Sequence, residues 1–439
     1  MPMDHAETFA RRRATLFDAM AAASPSAIAV LPAAPVFVRN NDVDHEYRQD
    51  SDFFYLTGFD EPESVAVLDA KERKTTLFAR PRDPEREVWD GPRAGVEGAK
   101  ERFGADDAFP VAELDEKLAA ALENHRRIYY RLGKNRTFDD RLLGAVQRVR
   151  GRQRTGVVTP TEIVDPGDLL HEMRLRKSPS EVETMRAAAR ITREAHELAM
   201  GKARPGMHEY EIEGMLLDTF RRRGSERPAY GSIVASGPNA CVLHHRKNDR
   251  SIGEGELLLI DAGCEYDYYA SDVTRTFPVG RDFSREQQAI YELVLQAQLE
   301  GIAGARAGAT LDAIHSLSVA VITRGLVRLG LLLGEPEKLI ETNAYKRFFM
   351  HRTSHWLGMD VHDVGSYFLD GRPRPLEPGM VLTVEPGIYI APADGTVAPE
   401  WRGIGVRIED DVLVNESGPE VLTAGIPKTV DEVRAACSV

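Results

Sequence analysis

The chain has 439 residues, enough for two or three domains with sizeable cores. Its 42% hydrophobic and 28% charged residues are the balance of an ordinary globular protein, which excludes a disordered, collagenous or membrane-spanning chain. The 69 acidic residues outnumber the 56 basic ones, for a net charge of −13; this argues against a nucleic-acid or anionic-membrane binder and suits carboxylates gathered around metal.

At the N-terminus, Arg11, Arg12 and Arg13 precede an apolar stretch that superficially resembles an export signal. Asp18, Ser24, Pro25 and Pro32 interrupt it, so the expectation is an amphipathic helix and then a strand near Ile28 to Leu31. Short apolar runs (SVAVLDA, TTLFA) alternate with turns (RPRDPERE, WDGPRAG) and predict a separate α/β domain over 1–172. After Asp165-Pro166-Gly167, the run Ser178-Pro179-Ser180-Glu181 predicts a helix start by capping box, and a second domain is expected over 173–439. The three cysteines, Cys241, Cys264 and Cys437, form neither a disulfide framework nor a zinc knuckle, and a cytoplasmic location is expected.

The second domain reads as an internal duplication. Shifted by 124 residues, GELLLIDAG (255–263) falls on GMVLTVEPG (379–387), so Asp261 and Glu385 each end a buried strand. A shift of 102 aligns Ala195, Arg204, Gly206 and Ile212 with Ala297, Arg306, Gly308 and Ile314. The prediction is two similar halves, helices followed by strands, that face each other across a cleft with one carboxylate each.

Asp272 follows Asp261 after ten residues, a spacing at which an antiparallel return brings the second acid beside the first. HRTSHWLGMDVHDVG holds His351, His355 and His362, and lacks the glutamate of a zinc-helix motif. GIGVRIEDDVLV alternates with strand period, predicting Arg407 and Glu409 on one face and Ile404, Val406 and Ile408 on the other. Four carboxylates converging without a cation would repel and protonate, whereas two divalent ions would balance them. Oxygen-rich donors with one imidazole favour manganese, cobalt or iron over structural zinc.

These residues resemble the pita-bread metallopeptidases, and among them the Xaa-Pro aminopeptidases. The likeness covers nearly the whole chain, including NNDVDHEYRQDSDFFYLTGFDEPE, NACVLHHRKND, IDAGCEYDYYASDVTRTFPVG and LEPGMVLTVEPGIYI. It implies an α/β fold, an N-terminal α/β domain followed by a pita-bread catalytic domain. It implies two divalent ions, manganese first, with cobalt, iron or zinc as alternatives, held by Asp261, Asp272, His355, Glu385 and Glu409. Asp272 and Glu409 would touch both ions. The substrates would be peptides with proline at the second position, attacked by hydroxide held between the ions. Glu385 would shuttle the proton, and His244 and His362 would stabilise the charged oxygen. His351 would contact the peptide beyond the scissile bond.

His245 is the alternative to His244, and opposite strand faces favour His244. Arg407 is read either as a substrate contact or as a counter-ion for Asp272. Tyr389 shields the site or packs, Trp356 is expected in the core, and Arg372 and Trp89 sit in loop-like surroundings where the family has substrate-pocket residues. The likeness also implies a homodimer or homotetramer. The rival readings are a prolidase, which takes only dipeptides, and a non-enzymatic pita-bread binding protein; retention of all five ligand types argues against the latter and against a creatinase.

Overall fold

A computed structural model of the chain describes residues 5–437. It forms two compact units, one running to Met173 and the other starting at Arg174. In the first, the opening helix is His5–Ala23 and the strand after it Ala27–Pro32. This strand lies within a six-stranded mixed sheet ordered Asp107–Pro110, Lys74–Ala79, Val65–Asp69, Ala27–Pro32, Arg127–Tyr129, Glu162–Val164. Leu114, Leu118, Phe138, Leu142, Val146 and Val149 recur at helical spacing and bury against it. The surroundings of Trp89 differ from the expected loop: Asp83 caps a short helix, Pro84–Asp90, with proline in its first turn. None of that helix is buried, and Trp89 is 85% exposed.

The second unit opens as the capping box predicts. The Ser178 side chain accepts from the Glu181 N–H, Glu181 accepts from the Ser178 N–H, and the helix runs Pro179–Lys202. It packs on Glu209–Arg222, and in the second half Arg285–Gly304 packs on Leu311–Arg328. Each pair leads to a buried sheet. In the first half, Leu257–Asp261 is central between Ile233–Ser236 and Thr274–Pro278, all antiparallel. In the second, Val381–Val384 pairs with Asp410–Asn415, which pairs with Gly418–Val421.

Two local features set the acids in place. Between Leu257–Asp261 and Thr274–Pro278, Cys264–Tyr266 and Tyr269–Ala270 make a hairpin whose turn residues, Asp267 and Tyr268, have φ of 49° and 66°, the conformation of a tight two-residue turn. Gly263 passes so close to the returning chain that a Cβ there would lie 1.8 Å from the Ser271 carbonyl oxygen. The other feature corrects an expectation: GIGVRIEDDVLV is two strands, Gly405–Arg407 and Asp410–Asn415, joined at Ile408 and Glu409. Gly405–Arg407 pairs with Gly387–Tyr389, while Asp410–Asn415 pairs with Val381–Val384, so the chain changes sheets where Glu409 sits. Ile404, Val406 and Ile408 still point into the main core, together with Phe277 and Ile388.

Candidate metal centre

Register brings the acids together. Asp261 is paired with Thr274, so Asp272, two residues before Thr274, returns alongside Asp261. The Tyr230 hydroxyl lies 2.5 Å from an oxygen of each. From the second half, Thr353–Leu357 runs beside Val381–Glu385 through bonds from Leu357 N to Val381 O, Thr383 N to His355 O and Glu385 N to Thr353 O. His355 and Glu385 thereby become neighbours, with His355 Nε2 3.7 Å from Glu385 Oε1 and 3.4 Å from Asp272 Oδ2. Glu409 is stitched to the first half: its N–H donates to the Thr274 carbonyl at 3.1 Å, and its Oε2 accepts from the Thr274 hydroxyl at 2.7 Å.

Asp272, His355 and Glu409 are buried and offer ligand atoms within 4.8 Å of one another. Asp261 and Glu385 flank this core, the first through Tyr230 and the second through His355. Burial, and then mutual repulsion, raise Glu409 well above the carboxylate range; burial likewise raises Asp261, and lifts Glu385 to about 7. His355 is raised too, which for an imidazole favours the charged form. Burial opposes its charge, but the bond to Asp272 and the charge of Glu385 lift it to about 9. Its Nδ1 donates to the Trp356 carbonyl at 3.0 Å, which turns Nε2 toward the acids, the orientation of a metal-ligating imidazole. A single phenol proton cannot serve two carboxylates at 2.5 Å, so one Tyr230 contact requires a proton on an acid or a cation nearby. Oxygen-rich donors, repelling acids and a histidine pressed toward positive charge all fit divalent cations.

The other candidates sort around this centre. Arg407 is buried and pairs with Asp261, not Asp272: Nη2 is 2.6 Å from Asp261 Oδ2, Nε donates to Thr274 Oγ1 and Nη1 to the Tyr389 hydroxyl. The broken strand explains the difference, since Gly405–Arg407 pairs with Gly387–Tyr389 instead of continuing into the sheet of Asp410. Tyr389 also lies 2.9 Å from His351 Nε2. Burial holds His351 down to about 3, so its approach to Glu385, at 3.7 Å, is not an ion pair. His362 stacks on His355, with ring centroids 4.1 Å apart. His244 is exposed and acts electrostatically on both His351 and His362, whereas His245 is tied to Glu209 at 3.0 Å. Trp356 is buried in the core against Tyr367, and Arg372 is exposed in a two-residue strand. Sequence reasoning passed over Tyr230 and Thr274; neither belongs to a pattern that distinguishes it from a packing residue.

The chain is similar to known proteins in sequence and fold. Residues 183–416 match the model of metallopeptidase family M24, and residues 9–129 that of the aminopeptidase P N-terminal domain. The Xaa-Pro aminopeptidase of Escherichia coli is 44% identical over 432 residues, covering 98% of this chain and 97% of the relative. Human Xaa-Pro aminopeptidase 3 is 35% identical, covering 93% and 80%. The solved structure of Pseudomonas aeruginosa aminopeptidase PepP superposes with a TM-score of 0.97 at 54% identity, covering 100% of this chain and 99% of that one. A zinc-substituted E. coli aminopeptidase P in complex with product superposes at 0.96 and 43%, covering 100% and 99%. The expected α/β architecture, an N-terminal domain followed by a pita-bread domain, is therefore the fold of this chain. With matching models over both parts and similarity along nearly its full length, the chain belongs to metallopeptidase family M24, among the aminopeptidase P enzymes.

Proposed function

We propose that the enzyme is an Xaa-Pro aminopeptidase that releases the first residue from peptides whose second residue is proline. The observation that carries this reading is the convergence of Asp272, His355 and Glu409, flanked by Asp261 and Glu385, in a chain so similar to enzymes named for that activity. Asp261, Asp272, His355, Glu385 and Glu409 would hold two divalent cations, which when bound lower the pKa of water toward neutrality and polarise the peptide carbonyl. Glu385, half-buried and 3.7 Å from both His351 and His355, is placed both to accept a proton from the attacking water and to return it to the departing proline nitrogen. His244 and His362 donate hydrogen bonds to the carbonyl oxygen as it gains charge. Burial keeps His351 neutral, and with Tyr389 it contacts the peptide past the scissile bond. Arg407 holds Asp261 and Tyr389 in place rather than meeting substrate. The family likeness also supports manganese as the working metal and a homodimer or homotetramer; the cysteine usage supports a cytoplasmic setting, and the break after Asp165-Pro166-Gly167 a domain boundary at 172/173.

The test uses metal-stripped protein reloaded with manganese and a panel of Xaa-Pro, Xaa-Pro-Xaa and longer peptides. Release of the first residue from the longer peptides is expected. Cleavage of dipeptides alone makes the enzyme a prolidase, and no cleavage of any proline peptide refutes the reading. Glu385→Gln is expected to lower kcat by about 10²- to 10⁴-fold; turnover equal to the unaltered enzyme at equal metal content would remove the proton shuttle.

A further inference from the structure

Glu209, outside every motif above, begins the helix Glu209–Arg222 and is completely buried. Its Oε1 accepts from the Ser236 N–H at 2.7 Å, the Ser236 hydroxyl at 2.8 Å and the Asn239 side-chain amide at 2.9 Å. Its Oε2 takes His245 Nε2 at 3.0 Å and the Arg250 N–H at 3.1 Å. These partners span the excursion between Ile233–Ser236 and Leu257–Asp261, the stretch that carries His244. Burial opposes ionisation of Glu209, but these donors hold it below the usual carboxylate range.

The geometry of that excursion makes the arrangement specific. The Val242 N–H donates to the Asn239 carbonyl at 2.9 Å, and the His245 N–H to the Val242 carbonyl at 3.2 Å. Val242–His245 is thus a closed four-residue turn with His244 at its third position. One side of the turn rests on Asn239 and the other ends in His245, and both side chains are gripped by the same carboxylate. His244 itself is exposed, so its backbone is held by the pair of anchors on either side.

We propose that Glu209 is a positioning residue for His244, clamping both ends of its turn through Asn239 and His245. The inference rests on the reading of His244 as a hydrogen-bond donor to the reacting carbonyl. Misplacement by about 1 Å can cost on the order of 10²-fold in rate, so a loosened clamp acts on turnover more than on substrate affinity.

The test is a double-mutant cycle on the manganese enzyme, read with histidine modification on the metal-free protein. Glu209→Gln is expected to lower kcat about tenfold or more with KM changed by less than about threefold. In a His244→Ala background the same change is expected to lower kcat by less than about twofold, because the group it misplaces is already gone. His245→Phe, which removes the donor while leaving Glu209, is expected to behave alike and serves if Glu209→Gln does not fold. Diethyl pyrocarbonate modification mapped by mass spectrometry is expected to reach His244 about ten times faster than His245, and to lose that contrast in Glu209→Gln. Equal rates at the two histidines in the unaltered protein, or full additivity of the two changes in kcat, overturns the proposal. His244→Ala turning over normally instead removes the reading of His244 beneath it, so the two failures are distinguishable.

Discussion

Tyr230 gives one hydroxyl to two acids, and its value lies in what it does to them. It pins Asp261 and Asp272 toward one point without adding charge, while burial and the acids keep its own proton on. Tyr230→Phe is expected to weaken manganese binding by about 10- to 100-fold while leaving the fold intact, as loss of a group orienting metal ligands does; titration of the metal-stripped variant measures it, and unchanged affinity would deny the role. At this scale the sequence was most informative where chemistry is concentrated. The acids stand in recognisable surroundings because each lies at or beside the end of a strand, and His355 stands in a histidine-rich run. The partner of Arg407 was not legible, since pairing depends on which strand it lies beside, and a lone tyrosine in RPAYGS carries no signal until the chain has folded back on itself.

Among elements, the hairpin from Gly263 to Ser271 governs how two acids with ten residues between them come side by side. A methyl group at Gly263 would meet the Ser271 backbone, which cannot swing away as a side chain can. Gly263→Ala is therefore expected to displace Asp272, costing about 1–3 kcal/mol of stability and weakening metal binding together; thermal melting with metal titration checks both. The alternation in GIGVRIEDDVLV correctly sent Arg407 and Glu409 one way and the isoleucines the other. It could not reveal that the strand breaks at Glu409, because periodicity records faces and not which neighbour a strand pairs with. Behind His362, Asp363 accepts from Arg174 at 2.6 Å and Lys177 at 2.9 Å, all buried. Removing the shared acid leaves buried Lys177 without its carboxylate, so Asp363→Asn is expected to cost about 3–5 kcal/mol in urea unfolding.

For the molecule as a whole, the duplication was readable because two strands ending in an acid recur with matching glycines. The unequal shifts concealed how the halves meet, which the bonds of Glu409 to Thr274 supply. Acid stability should carry another imprint of the fold. His196 is fully buried, donates through Nε2 to the Ala262 carbonyl at 3.0 Å, and is held by burial down to about 4. An unfolded histidine titrates near about 6.5, so as pH falls from there toward 4 the unfolded chain takes up a proton that the folded chain refuses. His196 alone should contribute a fall in stability of about 3 kcal/mol across that window and none above it. His196→Gln, which retains a donor toward Ala262, is expected to flatten this dependence, as urea midpoints between pH 4.5 and 7 would show.

The five proposed donors come from well-separated stretches between positions 261 and 409, drawn from both halves, so no fragment of the chain owns the site. An ion that binds only the assembled acids favours assembly, by about 2.7 kcal/mol at a hundred times its dissociation constant. Chelation should then lower the melting temperature and quicken proteolytic nicking before any change in substrate is considered. Ion starvation would shorten the lifetime of the polypeptide as well as silence it, coupling the turnover of the enzyme to the supply of the cation it works with.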